Sequence, residues 1–367
     1  MTLPRGPAAL SVALSLAASA AAQDETLSET AETLIGETGS PGVGAMIVEA
    51  GDVRLAVAGV RIEGEETSIA RDDLWHLGSN TKAMSATLAA RLVERGVIDW
   101  TTRAGEALAP LDIDIHPELA EATLAEFLQH RSGLRANAGL IMQFRLAGMD
   151  ENRDVEADRI TYARAVLSGA PAGERGAFLY SNAGYVVASL MLETAAGEPY
   201  EALMREEVFT PLGMGSAGWG PPGELGGEAQ PRGHKAGLFG GLSAKEPGAG
   251  ADNPPALNPA GRAHMTLGDL ARFLDAHIAG ARGRSGYLSE ESWSRLHEAP
   301  AGGDYAMGWG VTGEGRLVHA GSNTMWFMRM AIDPETGRGA AVALNDGRAG
   351  VVAEPSNAAL AELLRRP

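Results

Sequence analysis

Strand-like segments occur at the two ends of this chain, and a long helix-like stretch separates them. Near the start, Val43–Glu49 and Val53–Gly59 are short β-prone runs, joined by a tight turn at Ala50-Gly51-Asp52. Near the end, Tyr305–Gly310, Arg316–His319, Met325–Ile332 and Gly339–Leu344 read the same way. The last two are divided by Asp333-Pro334-Glu335-Thr336-Gly337, where proline presets one turn dihedral and glycine tolerates the positive one. Neither group is large enough to bury its own faces, so one shared sheet is the economical solution. Between the groups, from Val97 to about Pro255, helical patterns dominate, broken by Gly and Pro. Glu224–Asn258 is rich in Gly, Pro and Ala and reads as long loops. Helices are expected at Glu25–Ile35, Ser79–Arg95, Leu267–Ala279 and Asn357–Arg365. The expected fold is α+β: an antiparallel sheet flanked by helices, built from both chain ends, with an all-α part inserted. The α/β part covers about 23–96 and 259–367, and the helical part about 97–258.

The chemistry-bearing signal is Trp75-His76-Leu77-Gly78-Ser79-Asn80-Thr81-Lys82. Ser79 and Lys82, three residues apart at a helix start, share one helix face, so the amine can reach the hydroxyl. A serine hydroxyl is a poor nucleophile until an adjacent base activates it. The first turn of a helix also offers unpaired N–H groups where a developing oxyanion can be held. The chain has three lysines, and only Lys82 follows a serine at this spacing. Alone, such a pair also arises on any solvated helix face.

Two further motifs follow in order: Tyr180-Ser181-Asn182 and His319-Ala320-Gly321. Together with Ser79-x-x-Lys82 they resemble the motif set of the serine β-lactamase-like family. That family includes class C β-lactamases, D-alanyl-D-alanine carboxypeptidases, D-aminopeptidases and related esterases. Leu128-Gln129-His130-Arg131-Ser132-Gly133-Leu134 is similar to a family signpost that usually has threonine where Arg131 stands. Phe209-Thr210-Pro211-Leu212-Gly213-Met214 and Asn258-Pro259-Ala260-Gly261 resemble two others.

The resemblance implies roles. Ser79 would be the nucleophile, Lys82 its base, and Tyr180 the group that passes the proton to the leaving group. Asn182 would orient the lysine and the substrate amide. Gly321 would let substrate backbone approach the strand, and the backbone N–H groups of Ser79 and Ser322 would form the oxyanion hole. His319 departs from the lysine of class C β-lactamases. An ordinary histidine, with a pKa of about 6.5, would lose its charge as pH rises through neutrality and release a substrate carboxylate with it. The expected activity is therefore an acyl-enzyme serine hydrolase acting on small esters or on D-amino-acid amides and peptides. The alternatives are a β-lactamase and an inactive homologue that binds peptidoglycan peptides.

Residues 1–22 read as a secretory signal: Arg5, an apolar stretch from Ala8 to Ala18, and an Ala-x-Ala site at Ala20-Ala21-Ala22. The mature protein would start near Gln23 and reside in the periplasm or outside the cell. No stretch has the roughly 20 apolar residues of a membrane span. There is no cysteine, which excludes disulfides and thiol catalysis. The remaining histidines lack zinc-site spacing, so no metal or cofactor is expected. Arg5 is the only charged side chain in the signal, so its removal takes the formal charge from −17 to −18. That acidity disfavours nucleic acid and anionic membranes as partners and leaves a small-molecule or peptide acyl substrate.

Overall fold

The computed structural model describes residues 24–139, 142, 146, 154–237, 241–248 and 250–365. The signal-like residues 1–22 lie outside that set. Thirteen strands run in chain order among the described residues. β1 is Gly42–Glu49, β2 Asp52–Gly59 and β3 Leu74–His76; β4 is Gly218–Trp219, β5 Glu224–Leu225 and β6 Glu228–Ala229; β7 is His234–Ala236, β8 Leu242–Ala244 and β9 Ala263–Thr266. The last four are β10 Gly310–Val311, β11 Leu317–Ser322, β12 Phe327–Asp333 and β13 Arg338–Leu344.

Six of these form one antiparallel sheet in the order β10-β11-β12-β13-β1-β2. The two chain ends meet inside it, where β1 pairs with β13 in the register Val43↔Leu344 to Glu49↔Arg338. The sheet is covered on both faces, as the alternation along each strand requires. Val43, Ala45 and Ile47 pack with Ala331, Ala340 and Val342 against a helix over residues 24–38 and the closing helix Ala349–Leu364. Met46 and Val48 face the other way and join Met330, Ile332 and the helix Leu267–Ala281. Gly44 on that face lets Leu267 and Trp75 approach, since a β-carbon there would meet Leu267 Cδ1 at 2.7 Å. The β1–β2 connection is Ala50-Gly51, both at positive φ (52° and 82°), the geometry of a two-residue hairpin turn.

A smaller three-stranded sheet, β3-β9-β4, sits beside the start of the helix Thr81–Glu94. Helices dominate the stretch between, led by Val155–Leu167 and Asn182–Ala196. No described helix is long and apolar enough to cross a membrane.

Three expectations need correction. Tyr305–Gly310 is not a strand: Gly308 at φ +79° turns the chain, and Tyr305 and Gly310 form one isolated bridge. Glu224–Asn258 is not all loop, because β5–β6 and β7–β8 are antiparallel pairs within it. Two- and three-residue strands carry no readable period. The closing helix starts at Ala349, not Asn357, and contains Pro355. That proline removes one helical hydrogen bond, whose acceptor would be the carbonyl of Val351 on the exposed side of the helix.

Candidate active site

β3 delivers the chain to the site. Leu77 N–H donates to the Ala263 carbonyl at 2.9 Å, extending the β3–β9 pairing up to the turn. Gly78–Asn80 then forms a single 3₁₀ turn, and the α-helix runs from Thr81 to Glu94. The helix is buried nearly all round, so it forms the axis of the molecule rather than a surface element. It ends at Gly96, which sits at φ +69°.

Four glycines seat this turn against its neighbours. A β-carbon on Gly321 would overlap the Leu77 carbonyl and come within 2.7 Å of the Ser79 nitrogen. On Gly78 it would overlap Ser322 N; on Gly308 it would come within 2.8 Å of the Lys82 carbonyl carbon. Gly261 packs at 3.5 Å from Ser79 N by the same measure. The open side of Gly321 thus faces the Gly78–Asn80 turn. Its small size lets β11 lie against that turn, which puts Ser322 beside Ser79.

Lys82 is fully buried, and its amine has three partners. They are Ser79 Oγ at 3.1 Å, Asn182 Oδ1 at 2.7 Å and the Ala260 carbonyl at 2.6 Å. No carboxylate touches it, so burial alone drives its pKa well below the ordinary lysine range. A neutral amine has two N–H donors and one lone pair. In the neutral form, with the donors on Asn182 and Ala260, the lone pair would face the Ser79 hydroxyl.

Tyr180 sits on the other side of Ser79 and hydrogen-bonds its hydroxyl. The Lys82 Nζ lies 4.9 Å from the Tyr180 ring centre. Burial pushes the Tyr180 phenol up to about 12, so it keeps its proton. Ser181 caps the next helix, accepting from Gly184 N–H at 2.8 Å, which aims Tyr180 and Asn182 at the same space. Ser79, Tyr180, Asn182 and Ser322 are each half-buried, so the cluster opens to solvent.

His319 is the instructive departure. It is buried on β11, with Nε2 at 3.2 Å from the Tyr305 hydroxyl and Nδ1 without a partner among the described residues. Burial lowers its pKa to about 3, helped by the charge of Lys82 when protonated. The expected loss of charge through neutrality therefore does not occur, because His319 is already neutral there.

Residues outside the three motifs complete the site. Asn137 accepts from Asn182 Nδ2 at 3.0 Å and fixes which end of that amide faces Lys82. Tyr305 packs 4.8 Å from His130 and 5.6 Å from Phe178, ring to ring. His130 stacks at 4.3 Å on Tyr180 and accepts from Ser181 N–H at 3.0 Å, supporting the Tyr180 turn. Phe178 is half exposed at 50%, a bare aromatic surface two residues from Tyr180. No group of three or more potential metal ligands occurs among the described residues.

A profile of the family described as Beta-lactamase matches residues 27–365. Penicillin-binding protein 4 of Amycolatopsis lactamdurans is 24% identical over 344 residues, covering 84% of this chain and 81% of that protein. An unguisins hydrolase of Aspergillus violaceofuscus is 26% identical over 179 residues, which is 47% of this chain and 30% of that protein, so the chain spans under a third of that relative. The D-amino acid amidase of Ochrobactrum anthropi SV3 superimposes with a TM-score of 0.73 at 22% identity, over 93% of this chain and 98% of that one.

Proposed function

The chain belongs to the β-lactamase family, and on that premise we propose that it is an exported serine hydrolase working through an acyl-enzyme at Ser79. One observation carries this reading. Two titratable groups flank one serine hydroxyl, and their surroundings push their proton affinities in opposite directions: Lys82 down, Tyr180 up. A neutral amine at 3.1 Å is a base; a phenol that holds its proton is an acid.

The steps follow from those protonation states. Lys82 takes the Ser79 proton as Oγ attacks the acyl carbon, and the bond from that carbon to the leaving group breaks. The backbone N–H groups of Ser79 and Ser322 stabilise the oxyanion formed in between. Tyr180 donates a proton to the departing oxygen or nitrogen and recovers one from Lys82. Water then repeats the sequence on the acyl-enzyme and frees the acid.

The substrate class proposed is a small ester or a D-amino-acid amide or peptide whose bound end is uncharged. The neutral, buried His319 supports this, because it offers no lasting cation to a carboxylate. For the same reason β-lactams rank behind neutral acyl compounds. Residues 1–22 are proposed as the export signal, with a mature terminus near Gln23.

Fluorophosphonate treatment followed by intact-mass and peptide analysis tests the reading. One adduct on the peptide carrying Ser79 is expected, and none in Ser79→Ala. An adduct on Ser132, Ser181 or Ser322 in its place would refute the assignment, and a chain that takes no label is an inactive homologue. A screen of p-nitrophenyl esters, D-amino-acid anilides and a chromogenic β-lactam then ranks the substrates.

A further inference from the structure

Behind the nucleophile turn lies a buried carboxylate that no motif marks. Asp252 belongs to the Gly- and Pro-rich stretch, yet its side chain is almost fully buried. Its Oδ2 accepts from His76 Nε2 at 2.7 Å and from Arg262 Nε at 3.1 Å. Its Oδ1 accepts from Asn323 Nδ2 at 3.0 Å and from Asn253 N–H at 2.7 Å. Arg262 in turn donates to Asn258 Oδ1 at 2.6 Å, so the charge is balanced inside the cluster. With these partners the carboxyl stays ionised below the ordinary aspartate range despite its burial.

Two of the four bonds lead to the reaction centre. His76 Nδ1 accepts from the backbone N–H of Gly78 at 3.1 Å, and Gly78 directly precedes Ser79. Since Nδ1 accepts, the imidazole proton sits on Nε2 and points at Asp252, which fixes tautomer and ring orientation together. On the other side, Asn323 follows Ser322. Its Oδ1 accepts from Met325 N–H at 3.1 Å and Trp326 N–H at 3.0 Å, closing the turn out of β11. The two backbone donors that would hold the oxyanion come from segments far apart in sequence; Asp252 holds Asn323, the neighbour of Ser322, directly and Gly78, the neighbour of Ser79, through His76.

We propose that Asp252 is a positioning residue that sets the spacing between the Ser79 and Ser322 N–H donors, through His76 on one side and Asn323 on the other. This rests on the acyl-enzyme reading above. Asp252 touches neither substrate nor Ser79; it acts by keeping two loops in register. Such a residue affects the step in which the oxyanion forms and leaves ground-state binding almost untouched.

The experiment measures the rate of Ser79 labelling by a fluorophosphonate, kcat and KM for p-nitrophenyl acetate, and Tm. It compares the wild-type chain with Asp252→Asn, His76→Asn and His76→Gln. Asp252→Asn replaces one acceptor with a donor facing His76 or Arg262. Its labelling rate and kcat should fall about 10- to 100-fold, the cost of small misplacements in preorganised sites, with KM unchanged. In His76→Asn the amide oxygen can stand where Nδ1 stood and still accept from Gly78. In His76→Gln the amide can reach Asp252 and leaves Gly78 N–H unpaired. Each variant breaks one half of the link from Asp252 through His76 to Gly78, so both should lose labelling rate and kcat with KM unchanged, whichever has the higher Tm. The His76 pair keeps the test open should Asp252→Asn fail to fold.

Kinetics unchanged in Asp252→Asn while Tm falls would overturn the proposal, leaving Asp252 a purely structural brace. So would wild-type labelling and kcat in either His76 variant. Equal labelling of wild type and Asp252→Asn overturns this inference alone, whereas no label on Ser79 in the wild-type chain overturns the acyl-enzyme reading and this inference with it.

Discussion

Two cations are buried to the same degree in this molecule and meet opposite fates. Lys82 and Arg159 both have side chains with no measurable exposure. Around Lys82 the acceptors are a hydroxyl, an amide and a carbonyl, none of them charged. Around Arg159 they are two carboxylates: Glu193 through Nε at 2.9 Å and NH2 at 2.8 Å, and Glu201 through NH1 at 3.1 Å and NH2 at 2.9 Å. Burial penalises charge in both places. At Arg159 the two carboxylates outweigh that penalty and the guanidinium stays charged, whereas at Lys82 nothing opposes it and the amine tends to neutrality. One arrangement makes a brace between helices, the other the proposed base beside a serine. The difference lies in the partners, since depth is the same.

The contrast is tested most severely by removing each group in turn. Lys82→Met and Tyr180→Phe should each lower kcat by about 10²–10⁴, the usual worth of a positioned base or acid. Thermal unfolding of Lys82→Met should stay at or above the wild-type Tm, because an amine with no countercharge leaves the interior. If Tm falls sharply while kcat holds, Lys82 is a structural residue and the contrast collapses.

The second test acts on the brace. Glu193→Ala takes away one carboxylate, two bonds to Arg159 and an acceptor of Tyr200 N–H. It should cost about 3–5 kcal/mol in urea unfolding, the usual loss when one partner of a buried pair is removed. The kcat per folded molecule should be unchanged. Equal losses of activity and stability would mean that the two sites are coupled.

A pH profile gives the third. Lys82 is active without its proton, so kcat/KM for a neutral ester should rise with pH and then level off. Below the folded-state pKa of the amine it should fall about tenfold per pH unit. That midpoint lies well below the ordinary lysine range, and Tyr180, held near 12, adds no alkaline limb until far above neutrality. A profile flat across the whole stable range would remove Lys82 from the proton path.

The smallest effect belongs to His319. With its pKa near 3, it carries no charge between about pH 6 and about pH 8, the window in which an ordinary histidine titrates. KM for a carboxylate-bearing substrate and for a neutral ester should therefore move together across that window. A selective rise in KM for the carboxylate substrate would show that His319 ionises there after all.

The sequence carries the proposed reacting groups more clearly than it carries their surroundings. Ser79, Lys82, Tyr180, Asn182, His319 and Gly321 stand in short motifs whose order is itself a signal. Asn137, Tyr305 and Asp252 do not. An aspartate among Gly, Pro and Ala has the composition of a turn, and only the fold brings it under His76. Tyr305 lies in a run that reads as a strand, and the φ of Gly308 breaks that run where no alternation shows it. His319 shows a related limit: period-two patterning puts it on one face of β11, and the loop that folds Tyr305 over it comes from elsewhere. The sheet was legible because its strands are five or more residues long, with the exception of β10. The short strands β4 to β8 were not, for want of length.

The pairing of β1 with β13 has a consequence for how this protein comes into being. The seat of the Gly78–Asn80 turn, Gly321 and Ser322, lies among the last strands to be synthesised. Until they arrive, β1 has only β2 beside it, and Leu77–Asn80 lacks its contact with β11. The contacts that complete the sheet span almost the whole chain, which makes them slow to form. A nascent polypeptide therefore holds Ser79, Lys82 and Tyr180 before Ser322 stands beside them, and the proposed oxyanion site is complete only once the closing strands have paired.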